Sequence, residues 1–266
     1  MSGSAIDALF ERTRAEDRAA LVGYLPAGFP DLATSVAAMT AMVENGVDLV
    51  EVGLPYSDPV MDGPTIQAAA DQALRAGTRT RDVFDVVRSV AATGAPTVVM
   101  TYWNPVERYG VDRFAADLSA AGGAGLITPD LIPDEAKEWE QASRVHALDR
   151  IYLVAPSSTD ERLAMTADAA SGFIYATAVM GVTGARQQTS SLAPELVGRL
   201  RGVTDKPVGV GLGVSNGEQA HEVAAFCDAV IVGSALVRCL LDAPSPEAGI
   251  EAVAALAREL RAGVER

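Results

Sequence analysis

Two carboxylates eleven residues apart, Glu51 and Asp62, are the residues of this chain best placed by type and spacing to do chemistry. Glu51 sits in the apolar run Leu49–Val52, where strand alternation puts Leu49, Glu51 and Gly53 on one face and Val50 and Val52 on the other. A carboxylate facing a partly desolvated interior has a raised pKa and is prepared to give and take protons. The alternative reading is a structural glutamate paired with an arginine. Asp62 follows in the loop Gly53–Pro64. Taken alone it reads as a cap for a helix that begins at Pro64. Beside Glu51 it becomes the second member of a pair, one shuttling protons and the other staying ionised to stabilise a positive charge.

A second group of residues points to an anion. Gly211-Leu212-Gly213 and Gly233-Ser234 each follow a short apolar run, and Gly184 lies in the Gly-rich stretch Met180–Arg186. Backbone N–H groups at a helix start attract phosphate, and glycine permits its close approach. The residues that are scarce narrow the mechanism further. The only lysines are Lys137 and Lys206, and the only histidines are His146 and His221. Neither lysine is expected in a pocket, which argues against a Schiff-base lyase and against isomerases built on a catalytic lysine. The histidines belong to no metal-ligand pattern, so a metal site is not expected. What remains is carboxylate acid–base chemistry on a phosphorylated substrate.

These residues need a scaffold that brings the ends of several strands together. Apolar runs recur at Leu21–Tyr24, Leu49–Val52, Thr97–Tyr102, Gly125–Ile127, Ile151–Ala155, Phe173–Thr177, Val208–Gly211 and Ala229–Val232. Helical spacing fills the intervals: Leu32, Val36, Met39 and Val43 form one stripe, capped by Asp31, and Pro133–Arg144 forms a polar helix. Ser158–Glu161 and Ser215–Glu218 read as helix openings. Eight strands alternating with helices, at roughly 25 to 30 residues per unit, specify a (β/α)8 TIM barrel. Ala5–Arg14 is read as an extra N-terminal helix and Glu247–Ala262 as the last one. Residues 1–266 are read as a single domain. A doubly wound open sheet is the alternative, but no G-x-G-x-x-G follows the first strand. In a barrel, catalysis sits at the C-terminal strand ends, with phosphate near strands 7 and 8. Both residue groups fall there.

Composition fits this reading. The chain has 266 residues, 49% hydrophobic, with 35 Asp+Glu against 21 Lys+Arg and a formal net charge of −14. That hydrophobic share builds a core. The charge repels a nucleic-acid backbone. No apolar run reaches the roughly 20 residues that cross a bilayer, and the N-terminus lacks a signal-peptide pattern. A cytoplasmic protein handling small molecules is expected. Cys227 and Cys239 read as buried free thiols.

The stretch Glu51–Gln67 closely resembles the signature of the tryptophan synthase alpha subunit family around its two catalytic carboxylates. Further matches are Met100–Pro105, Pro129–Leu131, Leu153–Pro156, Gly181–Arg186 and Gly209–Val214. The resemblance implies cleavage of indole-3-glycerol phosphate to indole and glyceraldehyde 3-phosphate by a retro-aldol reaction. It implies that Glu51 is the general acid–base and that Asp62 stabilises the indoleninium charge. Tyr24, Tyr102 and Tyr175 would line the indole pocket, and Thr183 would sit on a closing loop. Gly184, Gly211, Gly213, Gly233 and Ser234 would hold the phosphate. The family works as an alpha–beta–beta–alpha heterotetramer whose beta subunit carries pyridoxal phosphate, so no cofactor is expected in this chain. Ile132, Arg150, Met180 and Tyr24 depart from the usual family pattern, and Ile132 lies in the Asp130 loop where the beta subunit docks. Two other readings stand beside this one: a non-catalytic modulating subunit, and a stand-alone lyase that releases free indole.

Overall fold

The computed structural model describes residues 3–177 and 192–266. Eight strands close into one parallel barrel in sequence order. They are β1 (Ala20–Pro26), β2 (Leu49–Gly53), β3 (Thr97–Met100), β4 (Gly125–Thr128), β5 (Asp149–Val154), β6 (Ile174–Thr177), β7 (Val208–Gly211) and β8 (Ala229–Val232). The helices run from α1 (Ala5–Ala15), α2 (Leu32–Glu44), α3 (Pro64–Arg75) and α4 (Thr80–Ala91) to α5 (Trp103–Tyr109), α6 (Val111–Ala120) and α7 (Lys137–Val145). Then follow α8 (Asp160–Ala169), α9 (Leu192–Arg201), α10 (Gly217–Ala224), α11 (Ser234–Leu241) and α12 (Pro246–Gly263). The expected (β/α)8 barrel with an extra N-terminal helix is the fold observed. No helix of the described residues is long and apolar enough to cross a membrane.

Strand alternation divides the apolar side chains between two cores. Val50, Val52, Val99, Leu126 and Val210 point outward to the helices. Val22, Leu49, Val98, Ile127 and Ile151 point inward, together with Ile6, Leu9 and Phe10 of α1. Helix α1 therefore plugs the N-terminal end of the barrel, where Phe10 meets Phe173 at 5.8 Å between ring centroids. Ser4 and Asp7 start this helix with reciprocal side-chain-to-backbone bonds of 3.1 and 2.9 Å.

Three local readings change. In α2 the expected stripe holds at Met39, which is buried, and at Val36 and Val43, which pack on the core, while Leu32 is exposed and Thr34, Ser35, Ala38, Ala41 and Met42 are buried as well. Small residues let the helix approach the sheet, and the Met42 methyl fills the space a Cβ on Gly23 would take. The helix expected over Pro133–Arg144 is a 3-10 turn, Pro133–Glu135, followed by α7, with buried Ala136 at the break. Strand β3 ends at Met100, because Tyr102 already caps α5.

Lys206 lies just before β7, away from the strand C-termini. Its Nζ donates to the carbonyls of Ala167, Asp168 and Ala170 at 2.6, 3.2 and 2.7 Å. Arg150 donates to the Ala169 carbonyl at 3.0 Å, so two cations close the end of α8. His146 and His221 bond to Asp112 and to the Glu265 carbonyl. Cys227 is buried and Cys239 half-buried, both as free thiols.

Candidate active site

Glu51 is placed by β2, between Tyr24 of β1 and Val98 of β3 in register. Its side chain enters the barrel interior and is 1% exposed. No ion pair reaches it among the described residues, and its Oε1 has no hydrogen-bond partner there. Burial pushes its pKa up to about 8, from an ordinary 4.5. The structural ion pair with an arginine is thus not formed among the described residues. At neutral pH this carboxyl is mostly protonated, and it stands one step from ionisation.

Asp62 enters the same cavity from the β2–α3 loop. It does not cap α3. The N-cap position is Gly63, with Pro64 as the first helical residue. The Asp62 carboxylate is held instead by Tyr102, whose hydroxyl donates to Oδ1 at 3.0 Å. Burial raises the Asp62 pKa and this hydrogen bond opposes the rise. The two carboxylates consequently differ: Glu51 is fully buried, with Oε1 unpartnered among the described residues, and Asp62 is half-buried and hydrogen-bonded. That asymmetry separates their protonation states in the manner a proton donor and a charge stabiliser require.

The cavity between them is walled by Tyr24, Tyr175, Met100, Leu153 and Ile231, with Met61, Ile66, Pro129 and Thr177 around its rim. Burial and the neighbouring carboxylates push the Tyr24 and Tyr175 hydroxyls well above their usual range, so both rings stay neutral. At one side stand Gly211, Gly213, Gly233 and Ser234. Gly233 and Ser234 form the N-terminus of α11, an additional helix between β8 and α12. Gly213 adopts φ +72°, a conformation that favours glycine. Gly211 leaves room for Tyr175, whose hydroxyl would lie 2.6 Å from a Cβ there.

The structure thus gathers Glu51, Asp62, Tyr24, Tyr175, Gly211, Gly213, Gly233 and Ser234 around one space. Tyr102 is not in its wall but holds Asp62. Thr183 and Gly184 lie outside the described residues, as does Met180. The apolar wall of Met100, Leu153 and Ile231 was not singled out from the sequence. Period-two alternation from Val98, Ile151 and Ala229 points to all three. The described residues contain no cluster of three His, Cys, Asp or Glu that could hold a metal.

Residues 10–265 match the family model for the tryptophan synthase alpha chain. The chain belongs to that family. The tryptophan synthase alpha chain of Salinispora arenicola is 66% identical over 261 residues, 98% of each chain. That of Nocardia farcinica is 63% identical over 255 residues, covering 96% of this chain and 94% of the relative. Among solved structures, tryptophan synthase from Mycobacterium tuberculosis superposes with a TM-score of 0.94 at 58% identity, covering all of both chains. The tryptophan synthase alpha subunit of Legionella pneumophila gives 0.87 at 33% identity over 99% of each. Tyr24 brings a phenol to the cavity. Ile132 is 44% exposed beside Asp130, whose carboxylate accepts the Trp103 N–H at 2.9 Å.

Proposed function

We propose that this chain cleaves indole-3-glycerol phosphate to indole and glyceraldehyde 3-phosphate, with Glu51 as general acid–base and Asp62 as the carboxylate that carries the indole N–H. The observation that supports this most directly is Glu51 itself, a buried carboxyl with a pKa near 8 and no cation beside it among the described residues. Protonated Glu51 delivers its proton to C3 of the indole ring. The positive charge that develops on the ring nitrogen is stabilised by ionised Asp62. Glu51, now a carboxylate, takes the proton of the adjacent glycerol hydroxyl. The carbon–carbon bond breaks, its electrons return to the ring, and the hydroxyl becomes the aldehyde. One proton is given and one recovered, so Glu51 ends as it began. A placed proton donor of this kind is worth roughly 10²–10⁴-fold in rate.

The remaining residues bind and orient. Tyr24, Tyr175, Met100, Leu153 and Ile231 give the indole an apolar slot. Gly211, Gly213, Gly233 and Ser234, with Gly184 from outside the described residues, hold the phosphate at the α11 N-terminus. The reaction needs no cofactor in this chain. Pyridoxal phosphate belongs to the beta subunit, which pairs with it in a cytoplasmic alpha–beta–beta–alpha assembly and receives the indole. Residues 1–266 act in this as one domain.

The experiment is indole release from indole-3-glycerol phosphate, with and without a tryptophan synthase beta subunit. Wild-type turnover, a large increase with the beta subunit and near-complete loss in a folded Glu51→Gln variant are expected. Near-normal activity of that variant overturns the assignment of Glu51. Binding without turnover, even with the beta subunit, would make the chain a non-catalytic subunit. Equal rates with and without it would make the chain a stand-alone lyase.

A further inference from the structure

Tyr102 occupies a position that its expected role as an indole-pocket wall does not explain. It is 5% exposed and absent from the cavity lining. Its hydroxyl accepts the backbone N–H of Met61 at 3.0 Å and donates to Asp62 Oδ1 at 3.0 Å. The accepted bond fixes the oxygen on the loop, and the hydroxyl proton then has one carboxylate oxygen to meet. Among the described residues Tyr102 takes one Asp62 oxygen, Oδ1.

The Tyr102 ring is itself braced. It packs on Tyr56 at 5.4 Å between centroids, tilted by 35°. The Tyr56 hydroxyl accepts from Asn104 Nδ2 at 3.0 Å. The β2–α3 loop is therefore pinned twice to the start of α5: once at Met61 and Asp62 by Tyr102, and once at Tyr56 by Asn104. Gln67 of α3 also donates to the Asp62 carbonyl at 2.7 Å and holds the backbone there, but among the described residues it is Tyr102 that holds the carboxylate. A carboxylate must be held within a fraction of an ångström to receive a developing charge.

We propose that Tyr102 is a positioning residue for the Asp62 carboxylate, and that the Tyr56–Asn104 hydrogen bond is the brace that keeps Tyr102 in place. This rests on the role proposed above for Asp62. Tyr102 acts through Asp62 and does not touch the reacting atoms.

Among the described residues, the titratable groups facing Asp62 are Tyr24 from β1, Glu51 from β2, Tyr102 from the α5 start and Tyr175 from β6. The three phenols stay neutral across the working range, and Glu51 titrates near 8. The acid limb of the kcat profile then belongs to Asp62. Removing the Tyr102 hydroxyl removes a bond that favours the ionised form, so that limb moves to higher pH.

The test is Tyr102→Phe, which keeps the ring and its packing, assayed in the complex with the beta subunit alongside Asp62→Asn. Expected for Tyr102→Phe is a fall in kcat of roughly 10- to 100-fold, the size of a lost hydrogen bond to a charged group. KM should change little, and the acid limb should move up. Tyr56→Phe and Asn104→Ala should each lower kcat less, and the double variant no further than the single ones, because both break one bond. If Tyr102→Phe does not fold, 3-fluorotyrosine at 102 replaces it. A more acidic phenol donates more strongly, so the acid limb should move down.

An unchanged kcat and acid limb in Tyr102→Phe, with Asp62→Asn inactive, overturns this inference and leaves the role of Asp62 standing. A rise in KM alone returns Tyr102 to the pocket wall. Full activity of Asp62→Asn removes the role of Asp62 and this inference with it.

Discussion

A Cβ added to Gly53 would stand 2.6 Å from the ring carbon that bears the Tyr24 hydroxyl, closer than any carbon pair tolerates. Gly53 ends β2 two residues beyond Glu51, and Tyr24 pairs with Glu51 across the β1–β2 register. The missing side chain at residue 53 is what allows a tyrosine beside the proton donor. Gly53→Ala must push the Tyr24 ring into the cavity or strain the strand pair. We expect a stability loss of about 1–3 kcal/mol, the usual cost of overpacking, and at least a tenfold drop in indole release. In a Tyr24→Ala background the same substitution should cost little. Urea melts of the four proteins in this cycle test it, and additive losses would separate the two residues.

Activity should fall as pH rises through about 8. Glu51 donates its proton in the first step, and burial holds its pKa near that value. Above it the donor is ionised before substrate arrives. The kcat/KM profile for indole release is therefore expected to carry a basic limb near pH 8. Glu51→Asp, which retracts the carboxyl, should lose rate while keeping a basic limb. A flat profile to pH 10 would mean that another group supplies the proton.

The barrel was legible because the strands speak through period-two patterns and the helices through period-3.6 patterns, and both are long-range averages. Glu51 was legible for the same reason: among valines and leucines of one strand, a carboxylate interrupts the pattern. Asp62 was not legible on its own. Its loop contains Asp58 as well, and only Tyr102, 40 residues away, distinguishes the carboxylate that is held. The buried face of α2 is wider than the stripe of Val36, Met39 and Val43, because Ser35 and Ala38 carry little hydrophobic signal yet are buried where the helix approaches the sheet. The same limit applies to Tyr102. The resemblance implies a pocket wall for Tyr102, and which way its hydroxyl turns is set by a loop distant in sequence.

Glu51 also makes the fold sensitive to pH. Its carboxyl ionises near 4.5 when unfolded and near 8 when folded, so the folded chain binds the extra proton between those values. Stability then falls as pH rises from about 4.5 to 8 and levels off above. Glu51→Gln removes the titration. The variant should match wild type near pH 4.5 and exceed it by on the order of a few kcal/mol at pH 9. Chemical denaturation at the two pH values gives the comparison, and a constant offset between the proteins would contradict the burial argument.

The end of the barrel opposite the site should respond in stability alone. Helix α8 stops at Ala169, and its last carbonyls have no partners within the helix. Lys206 takes those of Ala167, Asp168 and Ala170, while Arg150 takes that of Ala169. Desolvation lowers the Lys206 pKa and the neighbouring Asp168 opposes that. Lys206→Met keeps much of the stem and removes the donors. Three carbonyls then depend on water, and the favourable interaction of a cation with the helix C-terminus is lost as well. We expect a destabilisation of about 1–3 kcal/mol in urea unfolding. Indole release measured well below the unfolding transition should be unchanged, because Lys206 is not among the described residues that line the cavity. A variant with wild-type stability would show that solvent satisfies those carbonyls without the lysine.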